Sequence, residues 1–218
     1  MVSRCLLYYI TDRSQFAGSE VDRSSALIDK VSEAASAGVD YVQLRERNLS
    51  AKELETLARD VVAAVREHSP ATRVLIKSRT EVALAAGADG VHLRSDDVSP
   101  ADVREMWSQS ARSAARVSTP IIAASCHTVN CVEMAAAQTV SFAVFAPVFG
   151  KSGSPATPPA GLAMLAEACQ KELPVFALGG ITVENAASCL HAGAAGIAAI
   201  RLFQDNKIDD VVRALRAR

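Results

Sequence analysis

Residues Pro174 to Phe203 read PVFALGGITVENAASCLHAGAAGIAAIRLF, and the fold is decided in this stretch. An apolar run, Val175–Leu178, stops at Gly179–Gly180. A helix follows, capped by Thr182 with Glu184 and Asn185 in its first turn. A second apolar run, Ala195–Ile200, stops at Arg201. Two short, wholly apolar strands around one helix predict a β-α-β unit of a parallel sheet, because strands covered on both faces lose the alternation of half-buried ones. The strand ends make the unit a candidate site. Glycines let an anion such as phosphate reach backbone N–H groups with no Cβ in the way, and the next helix N-terminus adds partial positive charge. The plain alternative is that Gly179–Gly180 is only a tight turn.

Working outward, the same alternation of apolar run and alanine-rich amphipathic stretch fills the chain. Strands are expected at Cys5–Ile10, Tyr41–Leu44, Val74–Ile76, Gly90–Leu93, Ile121–Ala124 and Phe142–Phe145, with the opening unit supplying the last two. Helices are expected near Arg23–Ala37, Ser50–His68, Thr80–Ala86, from Ser99-Pro100, Val129–Gln138, Gly161–Lys171 and Ile208–Arg216. Ser50 with Glu53 three residues on reads as a capping box, and Pro100 suits a first helical position. Eight strands alternating with helices predict a single-domain α/β protein over 1–218, a (β/α)8 TIM barrel. A doubly wound open sheet is the competitor. The repeated Ala-Gly helix ends at Ala37-Gly38, Ala86-Gly87 and Ala192-Gly193 favour a ring of equivalent units. Counted as the last unit of eight, the Pro174–Phe203 stretch lies where such barrels often bind phosphate. The Gly-, Ser- and Pro-rich segment Gly150–Pro159 follows strand 6 and is expected to be a lid rather than a domain boundary.

Composition sets limits on function. The 218 residues are 50% hydrophobic and carry 23 basic against 24 acidic side chains, a net charge of −1. Such a chain can bury one core, and without a basic tract neither nucleic acid nor a membrane surface is an expected partner. No apolar run approaches the ~20 residues that span a bilayer. Five scattered cysteines and no apolar leader after Met1 suggest a reducing, cytoplasmic setting. Cys126 and Cys131 beside His127 are too few and too loosely spaced for a zinc site. A homo-oligomer is compatible with the sequence.

Barrel active sites use side chains at strand C-termini. Gln43, Arg45 and Arg47 share one strand parity, as do Lys77 and Arg79, and Ser125 and His127. With Arg94 and Arg201, up to six cations could ring one mouth and favour an anionic ligand. Two or three of them are expected to pair instead with Glu46, Asp96 and Asp97 at the rim. His127 can move a proton near neutral pH, although a lone histidine is more often structural. His92, within a strand, is expected to fill the barrel.

Taken in order, Tyr9-Ile10-Thr11-Asp12, QLRER from Gln43, ALAAGADGVHL from Ala83, Ser125-Cys126-His127, FAPVF from Phe145 and ALGGIT from Ala177 resemble the thiamin phosphate synthase superfamily over essentially the whole chain. The resemblance implies a (β/α)8 barrel and two kinds of activity. Synthases join a pyrimidine diphosphate to a thiazole phosphate with Mg2+. Arg45 matches that pattern, as does Asp97 as a magnesium ligand. TenI-type tautomerases instead aromatise a thiazole carboxylate phosphate by proton transfer, with no cofactor, and the histidine matching His127 moves the proton. Three departures from the synthase pattern favour the second branch. Lys77-Ser78 replaces Asn-Asp, the Thr/Lys loop after strand 6 is absent, and Arg201 replaces a serine. The expected substrate is a thiazole phosphate, its phosphate on Gly179, Gly180 and Arg201 and its carboxylate facing Arg45 or Lys77. Arg47 and Ser125 complete the expected binding set. A barrel that binds thiazole phosphate without catalysis is the third option.

Overall fold

A computed structural model describes residues 4–114, 119–150 and 158–217. Eight parallel strands close on themselves in sequence order. They are β1 (Leu6–Ile10), β2 (Tyr41–Leu44), β3 (Arg73–Lys77), β4 (Gly90–Leu93), β5 (Ile121–Cys126), β6 (Phe142–Phe145), β7 (Val175–Ala177) and β8 (Gly196–Ala199). β1 joins β2 through Tyr8↔Tyr41 and meets β8 through Leu6↔Gly196, which completes the ring expected from the sequence. An outer layer of helices covers it: α1 (Glu20–Ser36), α2 (Ala51–His68), α3 (Thr80–Ala86), α4 (Pro100–Ala114), α5 (Val129–Ala137), α6 (Gly161–Cys169), α7 (Val183–His191), α8 (Arg201–Gln204) and α9 (Ile208–Arg216).

Local signals explain most boundaries. Ser50 and Glu53 form the expected capping box on α2, and Thr182 with Asn185 forms one on α7. A capping box at Ser19 and Asp22 starts α1 at Glu20, earlier than the expected Arg23. The Ala-Gly helix ends behave as read: Gly38, Gly87 and Gly193 take positive φ of 80°, 69° and 99°. α8 is a single turn with no cap or periodic signal of its own, and it begins at Arg201, where the last apolar run stops.

Side chains alternate between two cores. Outward-facing residues such as Leu7, Leu44 and Ile76 pack against Leu27, Val61 and Leu165 of the helices. Inward-facing Tyr8, Leu75, Ala123, Phe142, Phe176 and Ala198 fill the barrel. Its lower half is an aromatic plug, with Phe142 and Phe176 centroids 4.7 Å apart and Tyr8 5.5 Å from Phe142. Gly196 makes room for this plug: a Cβ there would lie 2.7 Å from Phe176 Cε1 and 2.3 Å from Leu6 O. Above the plug the barrel opens at its C-terminal end.

Candidate active site

The opening is a cavity of about 840 Å³, within the range of small-molecule sites. Arg45, Arg47, Lys77, Ser125, His127, Gly179, Gly180 and Arg201 all line it, so eight of the nine residues expected to catalyse, bind substrate or hold a metal share one space. Asp97 is the ninth and lies outside it. The barrel sets their mutual positions. β3 and β7 are four strands apart either way round the ring, so Lys77 faces the Gly179–Gly180 turn across the cavity. β5, which carries Ser125 and delivers His127, stands two strands from each.

Of the six cations expected at the mouth, four line the cavity. Arg79 and Arg94 do not. Arg79 pairs with Glu81 and Arg94 with Asp96 at 2.9 Å. The parity that was to bring Arg79 inward fails because Ser78 takes φ 59°, which ends the strand and turns the chain into α3. Arg45 is paired only loosely, its guanidinium 3.8 Å from Asp12. Burial lowers the pKa of Arg45, and neighbouring Arg47 adds to that effect.

The cavity floor is polar and hydrogen-bonded. The Gln43 amide N–H group reaches Tyr8 Oη at 3.0 Å and also contacts His92 Nδ1, while Tyr8 Oη lies 3.0 Å from that same nitrogen. His92 is fully enclosed, and burial pushes its pKa well below the ordinary range, so the ring is neutral. With two donors converging on Nδ1, the proton belongs on Nε2, which then donates to Ser125 Oγ at 2.9 Å. Lys77 Nζ donates to the same oxygen at 3.2 Å. Ser125 therefore accepts twice, and its own O–H is left to serve a ligand. Burial brings the Lys77 ammonium down to a pKa of about 8. His92 thus fills the barrel as expected, and it also orients a cavity residue. Gln15 and Asp12 line the same wall. The sequence reading passed over Gln15, although Asp12 closes the Tyr-Ile-Thr-Asp motif.

His127 Nδ1 lies 2.6 Å from the Ala146 carbonyl oxygen. A carbonyl only accepts, so Nδ1 carries a proton and Nε2 is the nitrogen left to exchange one. Asp97 is differently occupied. Its carboxylate accepts from Ser78 Oγ and from the Arg94 backbone N–H, both at 2.6 Å, and pairs with Arg94 Nε at 3.6 Å. Among the described residues no three His, Cys, Asp or Glu side chains converge as metal ligands. Mg2+ is held by carboxylates together with ligand phosphates. A carboxylate committed to three donors outside the cavity does not fit that task.

Opposite Lys77, Gly179 and Gly180 take φ of 103° and 62°. A Cβ on Gly179 would stand 2.8 Å from both Cα and Cβ of Pro147. Gly179→Ala is accordingly expected to cost about 1–3 kcal/mol, and thermal unfolding followed by circular dichroism measures it. The α7 capping box takes the N–H groups of Thr182 and Asn185, so these are not available to an anion. The segment expected to act as a lid, Gly150–Pro159, lies largely outside the described residues, which omit 151–157.

Comparison with known proteins agrees with this geometry. Residues 7–203 match the profile of the family described as thiamine monophosphate synthase. A putative thiamine-phosphate synthase of Geobacter sulfurreducens is 39% identical over 214 residues, covering 97% of this chain and 92% of its own. A putative thiamine-phosphate synthase 2 of Aquifex aeolicus is 34% identical over 198 residues, covering 90% and 96%. Among solved structures, the thiamine phosphate pyrophosphorylase of Pyrococcus furiosus superposes with a TM-score of 0.78 at 25% identity, over 97% of this chain and 94% of that one.

Proposed function

The chain belongs to the thiamine monophosphate synthase family, and from that membership we propose that it is a thiamine-phosphate synthase, joining a hydroxymethylpyrimidine diphosphate to a thiazole phosphate. This reverses the preference drawn from the sequence departures, because relatives matching nearly the full chain carry the synthase name. The observation that carries it is the pair of opposed anion-seeking walls. Arg45 and Arg47 follow β2 and Lys77 ends β3; Gly179 and Gly180 stand across the cavity from Lys77, and Arg201 follows β8 beside the glycine turn's strand. A reaction between two phosphorylated substrates needs both walls, one for the phosphates of each.

In this reading the diphosphate lies on the β2–β3 wall and the thiazole phosphate on the glycine wall. The thiazole nitrogen lone pair forms a bond to the pyrimidine methylene carbon as that carbon's bond to the diphosphate oxygen breaks. Pyrophosphate leaves with the electron pair, and Arg45, Arg47 and Lys77 balance its growing charge. The experiment is incubation with both substrates, reading pyrophosphate release and thiamin phosphate by mass spectrometry. Absence of both products rejects the assignment.

A second reading, thiazole tautomerisation, is favoured by His127, whose free Nε2 can exchange a proton inside the cavity. There it would move a proton from ring C2 to the exocyclic carbon. His127→Asn is then expected to slow C2 hydrogen exchange by about 10²–10⁴-fold, measured by NMR in deuterium oxide. The same variant should leave pyrophosphate release much less affected. A protein that binds thiazole phosphate yet fails both assays is a binder only.

A further inference from the structure

We infer that the wall formed by Arg45, Lys77 and Ser125 is a diphosphate-binding site whose positive charge is supplied by the protein itself, with no divalent cation. The inference rests on the coupling reading above and adds a role for Lys77 and Ser125. Arg45 and Lys77 come from adjacent strands, paired in register through Leu44↔Ile76, so their side chains enter the cavity side by side. Ser125 lies beside Lys77, doubly accepting, with its hydroxyl proton free for a ligand oxygen. The groups whose charges act on Lys77 are Asp97, Arg94, Arg45 and Asp96, and buried His92 lies behind Ser125.

Asp97 and Asp96 favour the Lys77 charge only from a distance, since both pair directly with Arg94, and His92 is neutral. Asp12, the carboxylate that lines the cavity, is engaged by Ser14 and Gln15 and stands 3.8 Å from Arg45. Two cations drawn out of water, Arg45 with one loose ion pair and Lys77 with no direct one among the described residues, are costly, and burial depresses the pKa of both. A dianionic group entering between them relieves that cost, whereas Mg2+ arriving at the same wall would add to the repulsion. A cation at Asp97 would find one oxygen already holding the Ser78 and Arg94 hydrogen bonds and would compete with the Arg94 guanidinium for the other.

The test is calorimetric titration of the full-length protein with inorganic pyrophosphate, in EDTA and in excess Mg2+. Wild type is expected to bind at least as tightly in EDTA as with the metal. Lys77→Met should weaken binding in EDTA by about 10–100-fold, and Lys77→Arg should recover most of it. Thermal unfolding of each variant shows that the fold is kept. Binding that needs Mg2+, or a Lys77→Met protein that binds as wild type, overturns the inference. The outcome is separable from the coupling assay. Metal-free pyrophosphate binding without product formation would leave the site standing and remove the synthase reading, and product formation with Mg2+-dependent binding would do the reverse.

Discussion

Truncating Phe176 to alanine should lower the unfolding free energy by about 3–5 kcal/mol. Phe176 is 1% exposed and sits at the centre of the interior plug, touching Tyr8, Tyr41 and Phe142 at centroid distances of 6.0, 5.8 and 4.7 Å. Its removal takes away both buried apolar area and the edge-to-face contacts with the two tyrosine rings. The surrounding strands are hydrogen-bonded into a closed ring and cannot collapse onto the void, which places the cost toward the upper end of that range. Chemical denaturation at constant m-value measures it, and in a chain of this size the melting temperature should fall by about 6–20 °C. A loss below about 1 kcal/mol, the level of an ordinary surface change, would mean that the plug is not packed as described.

Arg45→Ala is expected to reduce kcat/KM for pyrophosphate release by about 10²–10³-fold, with no matching loss of stability. The two halves of this expectation have different physical origins. A guanidinium aimed at a leaving diphosphate stabilises charge that grows in the transition state, so its removal acts on the rate. In the free protein the same group is a partly buried cation facing Arg47, held by one loose pair to Asp12. Deleting it removes a desolvation cost, and the melting temperature should stay at or above that of the wild type. Arg45→Lys should recover only part of the rate, since an ammonium lacks the planar fork that matches two phosphate oxygens. A parallel fall in stability and rate would instead place Arg45 among the residues that hold the loop ends together.

The barrel was legible because its evidence repeats. Short apolar runs that lack alternation, capping residues such as Ser50 and Thr182, and Ala-Gly helix ends each recur around the ring, and errors at one boundary do not change the count. Strand parity carried the site a long way, bringing Gln43, Arg45, Lys77, Ser125 and His127 inward as expected. It failed where backbone geometry intervened. Ser78 in the left-handed region turns Arg79 away, and nothing in the sequence marks a serine for that uncommon conformation. The fate of Asp97 was hidden for a related reason. Sequence shows a carboxylate after strand 4 but not the three donors that fold back on it. The hydrogen-bonded floor was hidden too, because Tyr8, Gln43, His92 and Ser125 come from four different strands and meet only when the ring closes.

The opposition of β3 and β7 across the ring has one more consequence. The gap between the Lys77 wall and the Gly179 turn is fixed by the diameter of a hydrogen-bonded cylinder, which insertions in the connecting segments leave unchanged. In the coupling reading the scaffold therefore works as a ruler, setting how far apart the two phosphorylated groups are held while the rings between them meet.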